Sequence, residues 1–169
     1  MSWNNGKAKT DLLEHPEKVY ATALGLLARR EHSEGELRKK LKARGAEEQT
    51  MAEAIVRLRN YGYLDEARLA AECIRYHLNY KPCSRSYISH KLREKDVSDE
   101  YITAALEQYY DRELELTILN QLLAKELGAV IEDEDTLLRQ KQRMRIARRL
   151  AARGFAPGDI FRGLNAEGE

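Results

Sequence analysis

Residues 37–45 read LRKKLKARG, and residues 146–154 read IARRLAARG. Each stretch holds two apolar residues four apart, the second standing four before a glycine. Apolar residues at i and i+4 share one helix face, and a glycine after the last of them suits the left-handed residue that ends a helix. A third copy of the frame centres on Asp96. Taking Gly45, Asp96 and Gly154 as terminators, Leu41, Leu92 and Leu150 lie four before, and Leu37, Ile88 and Ile146 lie eight before. Met51, Ile102 and Ile160 lie six after, and Ile55, Leu106 and Leu164 lie ten after. The frame recurs three times without a gap, so it predicts helix, turn and helix three times over.

A further helix is predicted ahead of each copy, near 17–30, 66–79 and 112–127. The fold class is therefore all-α, three tandem three-helix repeats at 16–64, 65–110 and 111–165. Three helices of this length make a small core, so adjacent repeats are expected to pack on one another. Residues 1–15 are polar and are expected to form a flexible N-terminal arm. Ser33 followed by Glu36 reads as a capping box. Asp65 and Ser84 read as N-caps, with Leu64 and Leu69 as a hydrophobic staple. Gly62 is expected to end the third helix, and Pro82 to break the chain ahead of residue 84. Gly128 to Asp135 reads as an acidic linker.

Sparse β-branched residues and only three prolines in 169 residues agree with helix throughout. The first fifteen residues lack the apolar centre of a signal peptide, and no stretch has the length of a membrane span. The expected location is the cytoplasm, with no membrane partner. Cys73 and Cys83 stand apart from any metal-ligand spacing, and the four histidines stand apart from any catalytic one. The sequence carries no phosphate loop, nucleophile elbow or paired-carboxylate motif. It therefore offers no catalytic residue, no metal site and no cofactor, and no positive reason to expect an enzyme.

Net charge is only +1, so any basic footprint must come from uneven placement. The middle helices, taken as 33–44, 84–95 and 141–153, hold 15 of the 29 Lys and Arg and 3 of the 28 acids. The candidate binding surface is Arg38, Lys39, Lys42, Arg44, Arg85, Lys91, Arg93, Lys141, Arg143, Arg145, Arg148, Arg149 and Arg153. Cations also favour helix C-termini. That accounts for Lys42, Arg44, Lys95 and Arg153, but poorly for Lys141, Arg143 and Arg145 at what reads as an opening turn. Such a surface suits phosphates or an acidic protein groove. Eight tyrosines between 61 and 110 are expected to pack between repeats, with base stacking as the alternative.

Three strings, RREHSEGELRKKL (29–41), GYLDEARLA (62–70) and LAARGF (150–155), together resemble the RecX family of RecA-regulating proteins. The resemblance spans about residues 17 to 165. Leu69, Ser84, Asp96 and Arg149 depart from the family's usual residues. The resemblance implies an elongated, curved rod of helical repeats that binds the RecA filament in its groove as a monomer. It implies regulation, chiefly inhibition, of RecA recombinase, ATPase and coprotease activities in recombination and SOS repair, with weak contact to single- or double-stranded DNA. The alternative function is a stand-alone nucleic-acid-binding protein of helix-turn-helix-like repeats.

Overall fold

A computed structural model describes residues 15–128 and 136–166. Among them are nine α-helices: α1 Pro16–Leu27, α2 Glu34–Lys42, α3 Glu48–Asn60, α4 Glu66–Tyr80, α5 Arg85–Glu94, α6 Asp99–Tyr109, α7 Arg112–Gly128, α8 Thr136–Ala152 and α9 Pro157–Ala166. The fold is all-α, and no strand occurs among the described residues. None of these helices is long and apolar enough to cross a membrane. The expected arm at 1–14 and the linker residues 129–135 lie outside the described residues, while Gly128 closes α7.

The twelve apolar positions of the repeating frame are all buried. The terminators adopt the left-handed conformation, with φ of 88° at Gly45, 56° at Asp96 and 83° at Gly154. Each sits in the same hydrogen-bonded end. The N–H of Gly45 donates to Lys42 O, that of Asp96 to Arg93 O and that of Gly154 to Ala151 O. The next residues, Ala46, Val97 and Phe155, donate to Leu41, Leu92 and Leu150. This pairing satisfies carbonyls that a helix end leaves open. Each residue after the terminator is itself buried, as is the leucine to which it donates. Aspartate tolerates the left-handed region better than most residues with a Cβ, which is how Asp96 stands where the other copies have glycine.

By contacts, residues 15–70 and 92–102 form one unit, and residues 71–91 and 103–166 form a second. In the first, α1, α2 and α3 pack together around Val19, Ala23, Leu26, Leu37, Leu41, Met51, Ile55 and Leu58. In the second, α7, α8 and α9 pack together. Gly163 brings α9 so close to α7 that a Cβ there would lie 2.4 Å from Leu123 Cδ1.

Each unit contains one version of the same joint. In the first, Ser33 Oγ accepts from Glu36 N–H at 3.0 Å, capping α2, and donates to the carbonyl of Lys95. The buried carboxylate of Glu66 accepts from Glu34 N–H at 3.2 Å. Gly35 lies where a Cβ would sit 2.7 Å from Asp96 O. In the second unit, Ser84 Oγ accepts from Tyr87 N–H at 3.1 Å, and Ser84 N–H donates to Arg153 O at 2.9 Å. The buried carboxylate of Glu115 accepts from Arg85 N–H at 2.9 Å. Lys95 and Arg153 both immediately precede a terminator. The orphan donors that open α2 and α5 are thus satisfied by a serine at the cap and by a glutamate from the first turn of the helix after next.

Several expectations need correction. The first helix ends at Leu27 and not near residue 30, and α8 begins at Thr136 and not near 141. Lys141, Arg143 and Arg145 are therefore interior helix positions rather than an opening turn. Ser33 caps as expected, but Glu36 does not complete the reciprocal box. Its carboxylate is held by both terminal nitrogens of Arg30, at 2.9 and 3.1 Å. Asp65 caps α4 through Arg68 N–H at 2.9 Å, and Leu64 and Leu69 are both buried. Asp111 caps α7 through Leu114 N–H at 2.7 Å, a cap the sequence reading passed over. Of the eight tyrosines expected to pack, Tyr61, Tyr63, Tyr76, Tyr80 and Tyr109 are exposed, and Tyr110 alone is buried.

His32 makes the first unit sensitive to pH. It is buried, and its Nδ1 lies 2.8 Å from the Arg30 carbonyl. A carbonyl only accepts, so Nδ1 carries the proton and Nε2 is left buried without a partner. Burial pushes the imidazole pKa down, with the bond to Arg30 O opposing it. A histidine that protonates more readily in the unfolded chain weakens folding as pH falls. The loss starts near the unfolded value of about 6.5 and continues down to the depressed folded value. Urea midpoints measured between pH 8 and pH 5 (conditions chosen to bracket that value) are expected to fall more steeply for the native chain than for His32→Asn. Parallel curves would exclude His32 as the cause.

Candidate functional site

The basic candidates divide by what holds them. Arg38 pairs with Glu34 at 2.9 Å and with Glu48 at 2.6 Å. Lys39 pairs with Asp96, Arg93 with Asp99 at 2.7 Å, and Arg149 with Glu126 at 2.6 Å. The Arg85 guanidinium donates to Tyr110 O. Arg143 donates to Leu164 O at 2.7 Å and to Asn165 Oδ1 at 2.8 Å, tying α8 to α9. Lys91 stands over the Tyr87 ring at 5.6 Å. These side chains already serve the fold, and surface ion pairs of this kind contribute little to stability, about 0–1 kcal/mol each.

Lys42, Arg44, Lys141, Arg145, Arg148 and Arg153 have no ion pair among the described residues. In the first unit, Lys42 and Arg44 are exposed at the end of α2 beside the Gly45 terminator. The second unit gathers more. Lys141, Arg145 and Arg148 line one shallow groove of about 470 Å³ along α8 with Leu137 and Met144. Spacings of three and four residues place these side chains on one helix face. Leu137 is 66% exposed and Met144 43%, so the cations surround an apolar strip open to solvent. On the neighbouring side of α8, Phe161 of α9 is also 43% exposed and shares a groove with Arg143 and Met144. Exposed aliphatic surface ringed by Lys141, Arg145 and Arg148, which have no ion pair among the described residues, matches a partner that offers both apolar contacts and negative charge.

A second cleft of the same unit opens between the end of α4, the start of α5, α7 and the end of α8. At its wall the buried Cys83 Sγ lies 3.4 Å from His77 Nδ1. Burial pushes the Cys83 thiol up to about 12, with Cys73 adding to this and Arg153 opposing it. It is therefore a thiol, not a thiolate, at neutral pH, and behaves as a packing residue. No cluster of metal-ligating side chains occurs among the described residues. Lys81 and Lys125 line this cleft with Arg153. Sequence reasoning missed both lysines because they stand outside the three middle helices used for the charge census.

Two family models match the chain, one described as RecX, first three-helix domain, over residues 20–58, and the other as RecX, second three-helix domain, over residues 65–106. Regulatory protein RecX of Xanthomonas campestris pv. campestris (strain B100) is 34% identical over 140 residues, covering 82% of this chain and 80% of that one. Regulatory protein RecX of Stenotrophomonas maltophilia (strain R551-3) is 39% identical over 89 residues, spanning about half of either chain, 52% and 53%. The crystal structure of RecX from Lactobacillus salivarius superposes with a TM-score of 0.70 at 20% identity, covering 89% of this chain and 95% of that one. At that identity the likeness is one of fold.

Proposed function

This chain belongs to the RecX family of regulatory proteins, and on that premise we propose that it binds the RecA–DNA filament and restrains RecA. The reading includes three repeats, at 16–64, 65–110 and 111–165, each with a basic middle helix. The observation that carries it is the α8 face, where Lys141, Arg145 and Arg148 stand without ion pairs among the described residues around exposed Leu137 and Met144. Acidic filament walls supply the charge this face lacks, and apolar side chains on those walls cover the strip. Association with several filament subunits at once sums modest contacts. The regulation lowers RecA's ATP hydrolysis, strand exchange and coprotease activity. The protein acts inside the cell beside DNA and performs no chemistry of its own.

RecA ATP hydrolysis on single-stranded DNA tests this directly. Substoichiometric protein is expected to lower the rate. The variant K141E/R145E/R148E is expected to need about tenfold more protein for the same effect, since three exposed charge contacts at about 0.5 kcal/mol each amount to about one decade in affinity. Arg143 is left intact because its bonds to Leu164 and Asn165 belong to the fold. A native chain without effect on the rate rejects the RecA reading. A variant as potent as the native chain rejects the α8 face.

A further inference from the structure

The cleft between α4, α5, α7 and α8 has a chemistry of its own. Its volume is about 470 Å³, within the range of about 300–1,000 Å³ typical of small-molecule sites. Lys81, Lys125 and Arg153 line it, and none of the three has an ion pair among the described residues. The acid in its wall, Glu126, is already matched by Arg149 at 2.6 Å. The same wall presents two tyrosine rings, Tyr80 and Tyr87. Tyr80 is 74% exposed, although its ring is bulky enough to bury. It is tilted against Tyr76 at 5.6 Å, while Lys81 stands 5.7 Å over that same ring. Aromatic surface left open beside unmatched cations is the pairing that recognises a planar base and its phosphate.

We propose that this cleft binds a nucleoside phosphate, the base against Tyr80 and Tyr87 and the phosphate on Lys81, Lys125 and Arg153. Three cations within one concavity favour a dianionic or bridging phosphate over a carboxylate. The two rings give the base a sequence-tolerant contact, because every base has a π-face. A free nucleotide and one residue of a single strand share this chemistry, whereas a base held in a duplex is stacked and out of reach. The proposal does not depend on RecA, and of the basic residues singled out by the repeat census it uses Arg153 alone.

Fluorescence anisotropy of a labelled oligothymidylate with the full chain, in the absence of RecA, provides the test. Tyr80→Ala and Lys125→Glu are each expected to weaken binding about tenfold, the order associated with losing one stacked base or one well-placed phosphate contact. Both side chains are exposed, so both variants are expected to keep the native unfolding midpoint. Lys18→Glu changes net charge equally but lies exposed in α1 of the first unit, outside the candidate binding surface, and its effect is expected to stay within about twofold. Thymidine monophosphate and ATP, added as competitors, separate the two sources. Displacement of the oligomer by either one at a matching nucleotide concentration identifies a free nucleotide as the ligand, and a persisting advantage of the oligomer identifies a strand. Absence of oligomer and mononucleotide binding overturns the proposal. So does an equal loss with Lys18→Glu, or equal affinity for a duplex.

Discussion

Alanine at Gly154 is expected to lower stability by about 3 kcal/mol or more, in the range reserved for strained or overpacked sites. Two costs combine there. The backbone has φ of 83°, and a residue with a Cβ in the left-handed region costs about 1–2 kcal/mol. The new Cβ would also lie 2.4 Å from Ser84 Oγ, 2.9 Å from Tyr87 Cβ and 3.2 Å from Tyr87 N. Ser84 cannot retreat without releasing the Tyr87 N–H that it caps at 3.1 Å, nor can Tyr87 without shifting the first turn of α5. At about 2–4 °C per kcal/mol for a chain of this size, the melting temperature is expected to drop by roughly 6–12 °C. Gly62 provides the control. Its φ is 70°, yet nothing lies within 4 Å of where a Cβ would stand, so Gly62→Ala carries only the conformational cost of about 1–2 kcal/mol. Equal melting shifts for the two variants would dismiss the close packing at Gly154.

Tyr110→Ala is the second large effect. The ring is fully buried, and its hydroxyl donates to Cys83 O at 2.6 Å. Burial, with Glu115 and Cys83 adding to it, pushes the phenol pKa well up, so the donor stays protonated through the neutral range. Removing a buried aromatic ring costs about 3–5 kcal/mol. Tyr110→Phe keeps the ring and leaves the Cys83 carbonyl to find another donor, at about 1–2 kcal/mol. Urea unfolding of the two variants separates ring from hydroxyl. A phenylalanine variant as unstable as the alanine one would assign the stabilisation to the hydrogen bond instead of the packing.

The repeating frame was legible because it is written in short-range terms. Leu37 with Leu41, and Ile146 with Leu150, mark a helix face within two turns, and their burial follows from that spacing alone. The left-handed terminators were legible for the same reason, Asp96 included, and Asp65 and Ser84 cap where their positions suggested. The joints were not legible. Glu66 and Glu115 look like ordinary acids opening a helix, and the N–H groups they accept from lie 32 and 30 residues away. The start of α8 was set too late although the acidic linker reads as ending at Asp135, because the charge census opens its third window at Lys141.

The clustering of basic residues was legible only as a count. Counting charges located α2, α5 and α8, but a count does not reveal neighbours. Lys39 finds Asp96 at 57 positions' distance, and Arg149 finds Glu126 across a helix pair. What distinguishes Lys141, Arg145 and Arg148 is that none has an ion pair among the described residues, which only the packed helices disclose. The tyrosines misled for a related reason. An amphipathic ring is at home in a core or at a surface, and nothing local to Tyr80 or Tyr61 decides between the two.

The first joint also sets a timetable for synthesis. Ser33, Glu34 and Gly35 meet Glu66, Lys95 and Asp96, so the opening turn of α2 is complete only after the chain has grown well past it. Between Gly45 and Asp96 lie about 50 residues, which at about 5–20 residues per second take the ribosome roughly 3–10 s. Once α3 is made, the α1–α3 core can close on its own leucines before residues 95 and 96 exist. The order of synthesis thus leaves the first fastening to be finished by residues 95 and 96.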